Sequence, residues 1–365
     1  MSESPAPALK EIFAAETYRQ IAREMTAIYP TFNAARFQAL SLAGLDELSL
    51  MQRLRRMTES LHATLPASFR KALGLLRKLA PRIERSFVTL ALSDYVGQYG
   101  QDQFDVSMEA LKYFTAFGSS EFAVREFLRR DLPRALAIMT EWSRDENEHV
   151  RRLASEGSRP RLPWSFRLEA LVTDPSPAAP ILEQLRNDPS LDVRKSVANH
   201  LNDIAKDHPA WVMDRLESWP LDQPHTAWIA KRALRTLIKQ GDRRALAIIG
   251  AGAKPNVLLH DLSLTPRKIK LGSCTTLAFR LESRAAKSQR LVVDYIVHYV
   301  KKSGAIAAKV FKLKELTLAP GASIAFSRAL HIRDFTTRVH HPGRHEVEIA
   351  VNGEKLARAF FELTR

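Results

Sequence analysis

The period of the hydrophobic pattern changes once along the chain, and the change falls at "GAGAKPN", residues 250–256. Before it, stretches such as "ETYRQIAREMTAIY" and "ELSLMQRLRRMTESLHATL" place apolar residues three and four apart, which keeps one helix face buried. After it, "LVVDYIVHYV", "SIAFSRALHI" and "HEVEIAVNGEKLARAFFEL" alternate as half-buried strands do, and Asn352-Gly353 fits a two-residue hairpin turn. The pattern therefore predicts a multidomain chain, all-α over residues 10–254 and all-β over 255–365. The small, proline-containing start "MSESPAPALK" predicts a flexible tail over residues 1–9.

The α part repeats itself. "EFAVREFLRR", "EHVRRLASEG", "LDVRKSVANHL" and "AWIAKRALRTL" each carry a β-branched residue followed by a basic one and then apolar residues at helical spacing, with Val124, Val150, Val193 and Ile229 as anchors. Segments of a second type lie between them: "LPRALAIMTEW", "AAPILEQLRND" and "PAWVMDRLESW". Each unit reads as a helix pair that buries its apolar side only by stacking on its neighbours, which predicts a HEAT-like repeat solenoid. The anchors are 26, 43 and 36 residues apart, so the period is irregular, and an irregular helical bundle is the competing architecture.

Charge narrows the partners. A formal net charge of +15 predicts attraction to a polyanion, nucleic acid first. From Asn256 onward 19 Lys and Arg stand against 9 Asp and Glu, so the β part carries most of the excess. No run of eighteen apolar residues and no leader-like start is visible, which predicts a cytoplasmic protein with no membrane partner. The single cysteine, Cys274, excludes an internal disulfide or a cysteine-rich zinc site and reads as a packing residue. The histidines show no HExxH or comparable spacing, and the adjacent His340 and His341 are a weak pair, so neither metal nor cofactor is expected.

The densest chemistry is in "HVRRLASEGSRPRLPW", residues 149–164. On a helical wheel Val150, Leu153, Ala154 and Gly157 share one side, while Arg152 and Glu156 fall opposite and are i and i+4. An isolated pair of that kind is a surface ion pair. Here Arg159 and Arg161 follow directly, Pro160 and Pro163 stiffen the loop, and Trp164 closes it. From Glu121 to Arg167 every Lys or Arg is Arg, whose planar fork suits phosphate. Two more carboxylates stand out by position. Glu121 follows "GSS" at a helix start, where Ser119 or Ser120 would cap. Asp203 shares a polar side with Lys195, Asn199 and Asn202, where the plain reading is a solvated acid. Acids in a basic groove repel a DNA backbone and make sense where a cation is to be stabilised.

Through "SSEFAVREFL", "HVRRLASEGSRPRLPW" and "LDVRKSVANHLNDIAKDHP", the chain resembles the AlkC branch of the AlkC/AlkD DNA glycosylases, bacterial alkylation-repair enzymes built on HEAT-like repeats. Its β part resembles the immunoglobulin-like domain that some AlkC proteins carry. The resemblance implies a monomeric enzyme acting on duplex DNA, nucleoid-associated when at work. It would hydrolyse the N-glycosidic bond of cationic alkylated bases, 3-methyladenine and 3-methylcytosine, without flipping them into a deep pocket. It implies Glu121, Glu156, Trp164 and Asp203 at the active site, with Arg152, Arg159, Arg161, Arg194 and Lys195 gripping phosphates. The Asp between two Trp residues of AlkD-type relatives has no match here, and Trp219 and Trp228 read as packing residues. The competing function is a non-catalytic HEAT-repeat scaffold that binds DNA or protein, since most solenoids bind without catalysing.

Overall fold

The computed structural model describes residues 9–84, 86–335 and 338–365. The expected tail, residues 1–9, lies outside them except for Leu9, as do Thr336 and Thr337 of the basic stretch "TTRVHHPGRH". Two compact units divide the chain between Asp207 and His208.

The first unit is helical: α1 (Ala15–Ile28), α2 (Ala34–Leu42), α3 (Leu50–His62), α4 (Phe69–Leu79), α5 (Leu90–Tyr99), α6 (Phe104–Thr115), α7 (Val124–Arg130), α8 (Leu132–Trp142), α9 (Glu148–Gly157), α10 (Glu169–Thr173), α11 (Ala179–Gln184) and α12 (Leu191–Ile204). The repeat anchors Val124, Val150 and Val193 sit in its core. Helix α8 packs on α7 and α9, and α9 packs on α12, so successive pairs bury one another's apolar stripes. Local signals set the ends: Asp131 and Asn147 accept hydrogen bonds from the amides of Arg134 and His149 at the starts of α8 and α9. Gly157 ends α9 where a Cβ would come within 2.5 Å of Val124, so α9 can lie this close to α7 only through a glycine.

The arginine that follows each valine anchor donates to backbone carbonyls, and Arg151 also pairs with the Asp188 carboxylate at 2.6 Å. Arg151 donates to the carbonyls of Asp145 and Glu146, and Arg194 to those of Asp188 and Pro189, just ahead of their own helices. Arg125 donates to the carbonyls of Gly157, Arg159 and Phe166.

The second unit opens with α13 (Pro209–Ser218), α14 (Pro224–Ala233), α15 (Arg235–Gln240) and α16 (Arg243–Ile248). Ile229 is buried in α14, and the helical pattern ends at Ile248, just short of the change of period. Trp219 is buried, and Trp228 is half-buried beneath the Arg232 guanidinium. Strands follow: β1 (Val257–Thr265), β2 (Lys268–Lys270), β3 (Cys274–Ser283), β4 (Gln289–Val300), β5 (Ile306–Leu318), β6 (Ser323–His331), β7 (Gly343–Val351) and β8 (Glu354–Thr364). They form a three-stranded sheet, β1-β3-β6, and a five-stranded sheet, β2-β8-β7-β4-β5, antiparallel except where β2 meets β8. Alternate residues such as Leu277, Phe279 and Leu281 of β3 and Val347, Ile349 and Val351 of β7 fill one core. Asn352 and Gly353 have φ of +47° and +77°, the pair of left-handed conformations a two-residue turn matched to strand twist requires. Cys274 differs from its expected packing role: it is the first residue of β3 and is exposed.

Candidate active site

The wheel places Glu156 on the polar side of α9, but that side does not face solvent, because α12 lies against α9. Glu156 is only 6% exposed, and a carboxylate at that depth stays charged only if cations pair with it. Two do. Arg159 Nη1 donates to Glu156 Oε1 at 2.6 Å, and Arg152 Nη2 lies 4.0 Å from the same oxygen.

These contacts belong to a longer chain of alternating charge. Ser119 Oγ donates to Glu121 Oε2 at 2.8 Å, and Arg152 Nη2 donates to the same oxygen at 2.8 Å. Past Glu156, Arg159 Nε and Nη2 reach Asp203 Oδ2 at 2.8 and 2.7 Å, and Lys206 Nζ donates to Asp203 Oδ1 at 2.9 Å. Three acids that sequence reading placed on separate helices thus share one network with Arg152, Arg159 and Lys206. Glu121, in the turn before α7, and Arg152 form its more open end, whereas Glu156, Arg159 and Asp203 are buried.

Burial alone would raise the Glu156 carboxyl. The Arg159 and Arg152 cations outweigh it and hold the group below its usual range, so it is ionised at neutral pH. His200, wholly buried on α12, goes the other way: burial, reinforced by the Arg159 charge, pushes its imidazole down to about 3. Its Nδ1 is 3.0 Å from the Ser155 carbonyl oxygen, which assigns the proton to Nδ1 and leaves the ring neutral beside the ion pairs.

Several expectations are corrected by this geometry. Asp203 is a buried partner of Arg159, not a solvated acid. The Arg152–Glu156 pair is the longer contact of Arg152, whose main partner is Glu121. Arg159 does not fit a phosphate-gripping role, since its guanidinium is enclosed between two carboxylates. Arg161 is turned onto Asp207 with two bonds of 2.9 Å. Of the remaining cations, Arg194 is drawn onto loop carbonyls, and Lys195 is exposed in a pair with Asp192.

Trp164 is placed differently from a core tryptophan. It is 64% exposed and has φ of +63°, a left-handed conformation that costs a bulky residue about 1–2 kcal/mol. Phe87 meets it nearly edge-on, with ring centroids 6.1 Å apart. Sequence reading passed over Phe87, which lies in a short turn outside the repeats, and also over Arg125, whose position beside an anchor valine made it one more cation of an arginine-rich face.

Known proteins match this chain over nearly its whole length. Residues 51–238 match the sequence profile of the DNA alkylation repair enzyme family, and residues 258–365 that of the C-terminal Ig-like domain of the uncharacterised protein YhaZ. Uncharacterised YhaZ of Bacillus subtilis (strain 168) is 43% identical over 347 residues, 95% of this chain and 96% of its own. Among solved structures, the Pseudomonas fluorescens alkylpurine DNA glycosylase AlkC, bound to DNA containing an abasic site analog, is 58% identical. It superimposes with a TM-score of 0.96 over 98% of this chain and 100% of that one. The fold is accordingly an AlkC-like helical-repeat region followed by an all-β, Ig-like domain.

Proposed function

The chain belongs to the DNA alkylation repair enzyme family, in its AlkC branch, and on that premise we propose that it is a DNA glycosylase that removes alkylated bases from duplex DNA. Its catalytic unit in this reading is the repeat solenoid of residues 10–254, with the β domain of residues 255–365 appended. The substrates are bases that alkylation has made cationic, 3-methyladenine and 3-methylcytosine.

The chemistry follows from the charge. An N3-methylated base already carries the positive charge that makes it a good leaving group, so no strong general acid is needed. The barrier lies in the positive charge that develops on deoxyribose as the N-glycosidic bond lengthens. Carboxylates fixed beforehand in a site of low dielectric stabilise such a cation without reorganising during the reaction. They also orient and deprotonate the attacking water, as carboxylates do in glycoside hydrolysis. Glu156 and Glu121 take these roles, Arg159 and Asp203 hold Glu156 in place, and the Trp164 face attracts the cationic base by about 0.5–2 kcal/mol.

What supports the reading most is the state of Glu156: buried, paired and ionised within a network that also contains Glu121. In this reading the base is released without being extruded into a deep pocket. Lys195, the exposed cation, contributes a phosphate contact, and Arg161 one if it gives up Asp207.

The test is release of free 3-methyladenine and 3-methylcytosine from methylated duplex DNA by the wild type, Glu156→Gln and Glu121→Gln. Both variants are expected to lose release while retaining DNA binding. Unimpaired release by both removes the carboxylates from the chemistry, and binding without release by the wild type makes the protein a scaffold.

A further inference from the structure

We propose that Arg125 is a positioning residue for base release, pinning the 157–166 segment on both sides of Trp164 so that the indole is held out in its left-handed conformation. The inference rests on the reading above, in which Trp164 meets the lesion.

Arg125 is wholly buried, yet its hydrogen bonds go to three backbone carbonyls and to no carboxylate. Nη1 donates to the carbonyls of Gly157 at 3.0 Å and Arg159 at 2.6 Å, ahead of the turn. Nη2 donates to the carbonyl of Phe166, beyond it, and the guanidinium lies over the Phe166 ring at 5.4 Å. One planar fork therefore ties the outgoing and returning stretches of the segment to a single point on α7. A second tie, from the Leu168 amide to the Pro160 carbonyl at 3.1 Å, closes the same segment at its base. Trp164 stands at the turn between the fixed stretches.

A non-glycine residue in the left-handed region persists only where its surroundings over-determine it. The two anchors supply that determination, and the second residue they fix, Arg159, is the one that joins Glu156 to Asp203. Arg151 and Arg194, at matching positions after their valines, bond carbonyls five and six residues back, and Arg151 also pairs with the Asp188 carboxylate, 37 residues ahead. Arg125 also reaches forward, by 32 to 41 residues, but to backbone carbonyls that lie on either side of Trp164. A pair such as Arg151–Asp188 joins one repeat to the next, whereas a fork on three carbonyls fixes the path of the backbone that carries Arg159 and Trp164. Burial, with the neighbouring Arg159 charge, brings the Arg125 guanidinium down to about 10, so it keeps all its donors at neutral pH. Lysine cannot substitute, because an ammonium is a point charge that cannot span both stretches.

The experiment uses the full-length protein labelled with 5-fluorotryptophan, in which the Trp164 fluorine resonance is identified by its loss in Trp164→Phe. In Arg125→Met the Trp164 resonance is expected to shift and broaden while those of the other tryptophans stay in place. Single-turnover excision of 3-methyladenine is expected to fall roughly ten- to a hundred-fold, the scale of a small misplacement at a reacting centre, with affinity for undamaged duplex unchanged. Arg125→Lys, which keeps the charge, carries the same comparison if Arg125→Met does not fold. An unmoved Trp164 resonance in the folded variant overturns the proposal, as does a loss of excision no greater than the loss of folded protein. If the wild type releases no base, the glycosylase reading fails separately, and the resonance still decides whether Arg125 holds Trp164.

Discussion

Arg159 Nη2 lies 2.7 Å from Asp203 Oδ2, and the same guanidinium lies 2.6 Å from Glu156 Oε1, so one buried cation bridges acids on two successive repeats. Removing it takes the nearest cation from both carboxylates, leaving Glu156 with the more distant Arg152 and Asp203 with Lys206. Arg159→Met is expected to lose about 3–5 kcal/mol of stability, the usual cost of breaking a buried ion pair from one side. Urea unfolding at pH 7 measures this, and a loss below about 1 kcal/mol, as for an exposed pair, would show that water reaches the network. Arg159→Lys is expected to be intermediate, because an ammonium cannot face two acids with a planar fork.

That bridge also marks how far the sequence could be read. The change of period at residues 250–256 separates helices from strands in the structure, and the valine anchors are buried as their spacing requires. The acids Glu121, Glu156 and Asp203 were identifiable individually, Glu156 with the help of its neighbours and Asp203 by its side of a helix. Their joining was not, because it depends on α12 covering α9, a contact that no local period encodes. Arginine was misread for the same reason. In sequence Arg125, Arg151, Arg159 and Arg194 are equal positive charges, but folding turns Arg125 and Arg194 onto carbonyls, Arg151 onto carbonyls and the Asp188 carboxylate, and Arg159 onto two carboxylates. A cation's partner is a tertiary fact. The left-handed Trp164 gave no signal either, since proline-rich loops rarely disclose which residue takes a positive φ.

The depressed Glu156 carboxyl fixes the acid limb of activity. Its folded value lies below the ordinary 4.5, so the ionised form persists through mildly acid conditions. Its contribution to stability is present above that ordinary value and is lost as pH falls through the lower folded one. Single-turnover excision is expected to stay flat from about pH 7 to pH 5, a window above both values. A rate that declines with an apparent pKa near 6 would show that the essential carboxylate is not Glu156 in its paired state.

His200 makes the opposite prediction for stability. Unfolded, it takes a proton near its ordinary 6.5, but folded it resists until about 3. Between those values the unfolded chain binds a proton that the folded one refuses, so stability present above 6.5 drains away on acidification by up to about 1.4 kcal/mol per pH unit. His200→Asn retains a donor for the Ser155 carbonyl and does not titrate. Unfolding free energies of the two proteins are expected to converge between pH 6.5 and 4.5, relative to their difference at pH 7.5. Parallel curves would mean that the His200 cavity admits the charged ring.

Salt dependence separates the surface cations from the buried ones. Lys195 is exposed, and its pair with Asp192 is of the surface kind that contributes little, so a phosphate can displace the acid. Lys195→Ala is expected to lower the slope of log affinity against log salt by about 0.9, one phosphate contact. Arg159→Lys is expected to leave the slope unchanged, because Arg159 never reaches the backbone. Fluorescence anisotropy of a labelled undamaged duplex, titrated across salt, reads both slopes, and an effect of Arg159→Lys equal to that of Lys195→Ala would return Arg159 to the phosphate-binding surface.

Trp164 gives the sharpest separation of stability from function. Most tryptophan replacements destabilise by removing buried area, but this indole is largely exposed and its backbone is strained. Glycine adopts positive φ without the Cβ penalty, so Trp164→Gly relieves roughly 1–2 kcal/mol of conformational cost. It gives up the edge contact with Phe87 and the part of the indole that is covered, and gains backbone freedom when unfolded, worth about 0.5–1 kcal/mol against alanine. These effects nearly cancel, and the melting temperature of Trp164→Gly is expected to match that of the wild type and exceed that of Trp164→Ala, which keeps the strain without the ring. Base release is expected to fall in both, and more for 3-methyladenine than for an uncharged lesion, because the lost π-face acts on charge. Trp164→Phe, with a weaker face, falls between. If Trp164→Gly and Trp164→Ala both melt well below the wild type, the ring is supporting the loop through packing, and its role in holding a cationic base loses its structural basis.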